Sequence, residues 1–222
     1  MYLTILIPCL NEEKTIGICI KKAKEFIKTK GIEGEILVAD NGSIDKSIQI
    51  AKELGANIIK VEEKGYGNAL IKGGKSAKGK FVIFGDADDS YNFLEIEEFI
   101  EKLEQGYDLV IGNRYKGKIQ KGAMKKLHRY IGTPLLSFLV RKKYKINIHD
   151  INCGLRGYNK EKILKINCQA KGMEYATEMI IKAKENNLKI TEIPINFYKD
   201  KRNRKSHLRP IRDGIKHLQI IF

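Results

Sequence analysis

The stretch from Lys80 to Ser90, KFVIFGDADDS, ends an apolar run in a cluster of carboxylates. Asp86 and Asp88 stand two apart, and in extended chain that spacing sends both to the same side. Two hard oxygen donors at a strand end suit Mg²⁺ or Mn²⁺ held jointly with a diphosphate. Other chemistries fit the same residue types. Asp86, Asp88, Ser90 and Glu97 fall at the ligand offsets of a calcium loop, although Tyr91 stands where that loop needs glycine and a strand rather than a helix leads in. An aspartyl nucleophile of a phosphatase and a plain Asp-rich turn both stay open on this stretch alone.

Further polar pairs follow other apolar runs. Asn11 and Glu12 come after Leu3 to Ile7 and Pro8, and Asp40 and Asn41 close the run EILVAD from Glu35. In a doubly wound sheet such carboxyl ends line one edge, so three polar clusters converge there. Asp40 could accept hydrogen bonds from a nucleobase or ribose, or cap a helix opening near Ser43. Gly65-Tyr-Gly-Asn68 opens a helix, where glycine permits close backbone approach to a ligand and the amides favour an anion. The glycine fingerprint of dinucleotide enzymes is absent after the first strand, and no phosphate-loop motif occurs, which argues against nicotinamide and P-loop chemistry.

The elements that must position these groups can be read from periodicity. Strands are expected at Leu3 to Ile7, Glu35 to Asp40, Asn57 to Val61, Phe81 to Phe84 and Leu109 to Ile111. Helices are expected from Asn11 to about Ile27, from the Asn41-Gly-Ser turn to Leu54, from Gly65 to Lys75 and around Ile96 to Leu103. This alternation predicts an α/β fold, an open sheet flanked by helices. Beyond Gly112 the rhythm changes. Asn113 to Met124 reads as loop, Leu127 to Val140 as helix, His149 to Tyr158 as irregular, Ala176 to Glu185 as helix, Lys189 to Phe197 as strand, and Ile211 to Phe222 as an amphipathic helix.

The chain has 222 residues, most simply one domain, with 42 Lys and Arg against 27 Asp and Glu. The net charge of +15 favours an anionic partner: a phosphorylated substrate, an anionic membrane or nucleic acid. The basic run Lys199 to Arg209 has no interleaved aromatics beyond Tyr198, which argues against single-stranded nucleic acid. The basic stretches around Arg141 and Lys201 suit anionic headgroups. Four cysteines without metal-ligand spacing point to a reducing compartment. The amino terminus lacks the pattern of a signal peptide, and no stretch approaches the roughly 20 apolar residues of a membrane span.

Taken together, Pro8-x-Leu-Asn11-Glu12, Ala-Asp40-Asn-Gly-Ser-x-Asp45, Lys64-Gly-x-Gly-x-Ala69 and Asp86-Ala-Asp88 resemble family 2 glycosyltransferases of the GT-A fold. The likeness continues through Gly112-Asn-Arg114, His128-Arg129-x-x-Gly-Thr133, Cys153-Gly-Leu-Arg-Gly-Tyr158, Gly172-Met-Glu174 and Arg202 to Ser206, nearly the whole chain in order. The combination is similar to the branch of dolichyl-phosphate mannose and glucose synthases. That resemblance implies a mostly parallel mixed sheet and an inverting hexosyltransferase. Its donor would be a nucleotide sugar such as GDP-mannose or UDP-glucose, and its acceptor a polyprenyl or dolichyl phosphate.

The resemblance also implies roles. Pro8, Leu10, Glu12, Asp40 and Asn41 would hold the donor's base and ribose, with Gly65, Asn68 and Ala87 close to the nucleotide. Asp86 and Asp88 would bind Mg²⁺ or Mn²⁺, Arg202 the leaving diphosphate, and Arg114, Arg129 and Thr133 the acceptor phosphate. Asp150, ahead of Glu174, would orient the reacting groups, or else pair structurally with Arg156. Leu10 stands where the family often has Tyr, Asn41 where a second Asp is usual, Ser90 where some members offer a further metal contact, and His207 where Lys is common. The catalytic domain is expected over 1–208, with 209–222 as an amphipathic helix whose length of roughly three turns permits either resting on a membrane surface or packing on the domain. The protein is expected at the cytoplasmic face of a membrane, peripheral unless a separate partner anchors it. Two alternatives remain: transfer to a sugar hydroxyl with Asp150 as base, and a non-catalytic basic protein that binds anionic membrane or nucleic acid.

Overall fold

The computed structural model describes residues 1–202 and 210–222. Seven strands form one sheet: β1 (Leu3–Cys9), β2 (Gly34–Asp40), β3 (Asn57–Lys60), β4 (Phe81–Phe84), β5 (Leu109–Asn113), β6 (Arg156–Asn159) and β7 (Ile190–Pro194). Their order is β3-β2-β1-β4-β6-β5-β7. β6 runs antiparallel between β4 and β5, and every other pairing is parallel. The helices are α1 (Ile16–Lys30), α2 (Ser47–Glu53), α3 (Tyr66–Ser76), α4 (Glu97–Glu104), α5 (Thr133–Tyr144), α6 (Lys160–Lys165), α7 (Tyr175–Glu185) and α8 (Pro210–Ile221). A π-helical turn, His128–Gly132, leads into α5.

The central strands are continuous apolar runs because both faces are covered. All of β1 and β4 is buried, as expected of parallel strands with helices on each side. β1 has β2 on one flank and β4 on the other, so the chain reverses its direction of sheet growth there. Such a reversal opens a crevice at the carboxyl ends of the strands. β1 runs on to Cys9 rather than stopping at Pro8. β4 pairs with β1 only as far as Phe84 opposite Leu6, so a residue without an N–H sits where that flank has no ladder left to break.

Other boundaries differ for local reasons. Helix formation is delayed from Asn11 to Ile16 because Asn11 adopts φ of 57° and its neighbours are tied to the next loop. α2 starts at Ser47 rather than just after Ser43, since Ser43 Oγ accepts from Asn11 N–H and Asp45 accepts from Ser47 N–H. The irregular stretch His149 to Tyr158 conceals β6, whose sequence RGYN carries no strand signature. Arg156 is nonetheless fully buried there. The four cysteines are free and buried, and burial pushes the thiols of Cys9, Cys153 and Cys168 up to about 12, leaving them poor nucleophiles near neutral pH.

α8 packs against α5 and α7. His217 Nδ1 and Thr177 Oγ1 lie 2.7 Å apart, and Tyr144 Oη donates to the Ile221 carbonyl at 3.0 Å. Among the described residues no helix is long and apolar enough to cross a membrane. The remainder of the basic run to Arg209, with Ser206 and His207, lies outside the described residues.

Candidate active site

The crevice beyond β1, β2 and β4 gathers Glu12, Asp40, Asn41, Asp86 and Asp88. Glu12 is fixed through its backbone, whose N–H donates to Ser47 Oγ at 2.7 Å. Asp40 Oδ1 accepts from Ser43 N–H at 2.9 Å, a tight turn that leaves the carboxylate at the strand end. Asn41 is held on all sides: its Nδ2 donates to the Glu63 carbonyl at 2.8 Å, and its Oδ1 accepts from Gly65 N–H at 2.7 Å.

Asp86 and Asp88 have different surroundings. Asp86 Oδ1 accepts from Tyr66 Oη at 3.0 Å. Burial first, and the charge of Asp88 second, push the Asp86 carboxyl up to about 6. Asp88 is buried; its Oδ1 accepts from both the N–H and the hydroxyl of Ser90. Ser90 therefore shapes Asp88. The other oxygen, Oδ2, receives Arg202 Nη2 at 2.7 Å, and Arg202 Nη1 lies 3.5 Å from Glu12 Oε1. Beside it Asp89, at φ of 61°, is paired at 2.7 Å with both Lys22 and Lys201. Ala87 is buried between these groups, Pro8 lies buried in β1, and Leu10 is half-buried at the rim.

A divalent cation fits this donor set in part. Among the described residues no three metal-binding side chains converge, so Asp86 and Asp88 would need further oxygens from a bound ligand. That is the arrangement in which magnesium is usually shared between carboxylates and phosphates. The positive guanidinium of Arg202 already seated on Asp88 marks the spot as one that accepts a cation.

At the start of α3 the backbone N–H groups are taken up within the protein. Gly65 and Asn68 do not offer their backbone to an anion. A Cβ on Gly65 would lie 2.1 Å from the Lys171 carbonyl oxygen, and one on Gly67 2.0 Å from that of Ala170. The glycines admit the protein's own 170–171 segment. The Lys171 carbonyl takes the N–H groups of Gly67 and Asn68, and Asn68 Nδ2 donates to Lys64 O. What the helix start does deliver is Tyr66, under Asp86. An aromatic residue between two glycines at a helix start was the only signal for it.

The basic side divides in two. Arg114 is buried, and its Nε and Nη2 grip Asp150 Oδ2 and Oδ1 at 2.7 Å each, with its own N–H on Oδ2 at 3.1 Å. Burial would favour a neutral guanidine, but the Asp150 charge outweighs it and holds Arg114 protonated. The structural partner of Asp150 is thus Arg114 rather than Arg156. With both oxygens engaged and no exposure, Asp150 is not placed to take a proton from an acceptor. Arg156 instead donates to the carbonyls of Ile151, Cys153 and Ala176 at 2.6 to 3.0 Å. Glu174 accepts from Gly172 N–H at 3.1 Å.

Arg129 is half-buried on the π-turn, its guanidinium 5.4 Å from the Tyr130 ring. Thr133 is buried and accepts from Asn152 Nδ2 at 3.3 Å. Tyr115, whose hydroxyl donates to the Arg129 carbonyl at 3.0 Å, joins this group to Arg114 and Asp150.

The open mixed sheet, with its acidic crevice at the switch point, is that of the GT-A class of sugar-transferring folds, to which its structural neighbours belong. The chain belongs to glycosyl transferase family 2, whose sequence model matches residues 4–166. It is 34% identical over 221 residues to the low-salt glycan biosynthesis hexosyltransferase Agl6 of Haloferax volcanii, a match that spans 99% of this chain but only 53% of that protein. It is 28% identical to glycosyltransferase AglJ of the same organism, over 95% of this chain and 67% of AglJ. In fold it resembles glucosyl-3-phosphoglycerate synthase from Mycobacterium tuberculosis, solved with Mn²⁺, UDP and phosphoglyceric acid, with a TM-score of 0.77 at 20% identity. That match covers 99% of this chain and 77% of the other.

Proposed function

We propose that this chain is an inverting hexosyltransferase that moves mannose or glucose from GDP-mannose or UDP-glucose to the phosphate of a polyprenyl or dolichyl phosphate. The observation that carries the reading is the seat of Arg202 on Asp88 and Glu12, at the point where β1 and β4 end. Carboxylates that accept a cation, with an arginine poised beside them, are what a nucleotide diphosphate leaving group requires. The relatives named as hexosyltransferase and glycosyltransferase support the reaction class. The fold neighbour holds Mn²⁺ and UDP.

In this reading Asp86 and Asp88 would hold Mg²⁺ or Mn²⁺, with Tyr66 and Ser90 fixing the two carboxylates. The ion would supply Lewis-acid stabilisation of the negative charge on the departing nucleotide. Glu12, Asp40 and Asn41 form the donor rim, with Pro8 and Leu10 beside them. An acceptor phosphate oxygen bonds to the anomeric carbon as the bond to the β-phosphate oxygen breaks, and the electron pair leaves on the diphosphate. Arg202 meets that charge. Arg129 receives the acceptor phosphate, while Arg114, anchored by Asp150, supplies a fixed positive field behind it and Thr133 shapes the wall. No base is needed, because a phosphate monoester is largely ionised above its second pKa of about 6.

A panel of nucleotide sugars with Mn²⁺ or Mg²⁺ and a short polyprenyl phosphate tests the reading by the appearance of lipid-linked sugar. Transfer only to a sugar hydroxyl would replace the acceptor. Folded protein that transfers nothing across a broad panel would favour the non-catalytic alternative.

A further inference from the structure

Among the described residues, eleven large apolar side chains are substantially exposed, and eight of them lie on or beside two touching helices. Leu127, Ile131, Leu135 and Phe138 recur at intervals of four, four and three along the π-turn and α5, with Tyr130 beside them, each 50% to 66% exposed. On α8, Ile215, Leu218 and Phe222 repeat the spacing. Such intervals put side chains on one face of a helix. The opposite faces form the core contacts: Leu136 and Val140 on α5, His217 and Ile221 on α8. The two helices meet at their carboxyl ends, where Tyr144 reaches the Ile221 carbonyl and Lys143 Nζ lies 5.0 Å from the Phe222 ring.

Charge is distributed unevenly around this face. Between Tyr115 and Asn147 there are ten Lys or Arg and no Asp or Glu. Lys125 and Lys126 stand exposed at one end of the apolar lane, and Lys142 and Lys143 at the other. Apolar side chains turned to solvent, with lysines at both ends that can lift their ammonium groups to headgroup level, match a helix lying flat in a bilayer interface. From Leu127 to Phe138 the lane is about 16 Å long, enough to rest on a leaflet and too short to cross one.

We infer that the π-turn, α5 and α8 together form a docking face for an anionic lipid leaflet. A second copy of the chain fits the same face poorly, because a symmetric contact would oppose two sets of lysines with Asp213 the single acid among the π-turn, α5 and α8. A leaflet rich in negative headgroups meets them with the opposite sign. Docking stands apart from the transfer chemistry; resting on that reading, it would also bring a membrane-held phosphate to Arg129, which belongs to the same turn.

The chain contains no tryptophan, so a single introduced indole reports its surroundings. Phe138→Trp and, as a control on another surface, Ile44→Trp at 93% exposure are titrated with vesicles. The vesicles are phosphatidylcholine, with or without about 30 mol% phosphatidylglycerol. The expected result is a blue shift for Phe138→Trp with anionic vesicles only, and none for Ile44→Trp. In flotation, Ile131→Ser with Leu135→Ser should lower the bound fraction at least about tenfold at unchanged melting temperature. No shift for Phe138→Trp, or equal shifts at both positions, would overturn the inference. So would a shift without lipid that follows protein concentration and accompanies a dimer in sedimentation, which would assign the face to a second copy. No donor or acceptor is present in these measurements, so their failure leaves the transfer reaction to its own test.

Discussion

Asp86 carries the most informative single charge in the crevice. Its carboxyl is pushed up to about 6, above the ordinary value near 3.9 of an unfolded chain. Between those two values the native protein binds a proton that the unfolded chain has released, so stability falls as pH rises through that window. Asp86→Asn should remove that slope in thermal melts and make the ligand-free protein more stable at pH 7.5, by about 1 to 3 kcal/mol. In the wild type, protons compete with a cation at Asp86, so Mn²⁺ affinity measured by calorimetry should weaken as pH drops below about 6. Arg202 competes for the same acids. Arg202→Ala should tighten binding of Mn²⁺ alone by about 3- to 10-fold and weaken binding of nucleoside diphosphate, opposite signs that a general loss of structure cannot give. Asp150 behaves as a support. Asp150→Ala strands the buried Arg114 charge and should cost about 3 to 5 kcal/mol in chemical denaturation. Low activity in an Asp150 variant is therefore no signature of a lost base.

At the scale of elements, the start of α3 and the 170–171 segment act as one joint. Gly67→Ala would drive a Cβ into the Ala170 carbonyl at 2.0 Å. It should cost about 2 to 4 kcal/mol and loosen the Tyr66 contact with Asp86. Gly132→Ala is the contrast: its Cβ would meet nothing closer than 3.7 Å, so denaturation should show no loss of stability and a gain of up to about 1 kcal/mol. These elements also mark what the sequence could and could not disclose. The apolar runs of β1, β2 and β4 were legible because burial on both faces writes itself as Val, Ile, Leu and Phe. β6 was not, because its one large charge is accommodated by backbone carbonyls that leave no mark on composition. Gly65 and Gly67 were seen as significant, but periodicity cannot tell which backbone a glycine admits.

On the scale of the molecule, one edge of the sheet collects acids and an adjoining helical surface collects bases. The carboxylates at the ends of β1, β2 and β4 were found from spacing alone, since strand ends in an open sheet share an edge. The Arg114–Asp150 pair was not, because it joins segments 36 residues apart that no local pattern relates. α8 packs on α5 and α7, and the expected boundary at 208 and 209 lies outside the described residues. The account depends above all on the acidic edge being the seat of a cation-bound diphosphate. Calorimetric titration of UDP and GDP into wild type and Asp88→Asn, with and without Mn²⁺, tests this most directly. The account predicts metal-dependent binding of at least one nucleotide, reduced about 100-fold or more by Asp88→Asn at unchanged melting temperature. Binding that is indifferent to both the metal and Asp88 would contradict it.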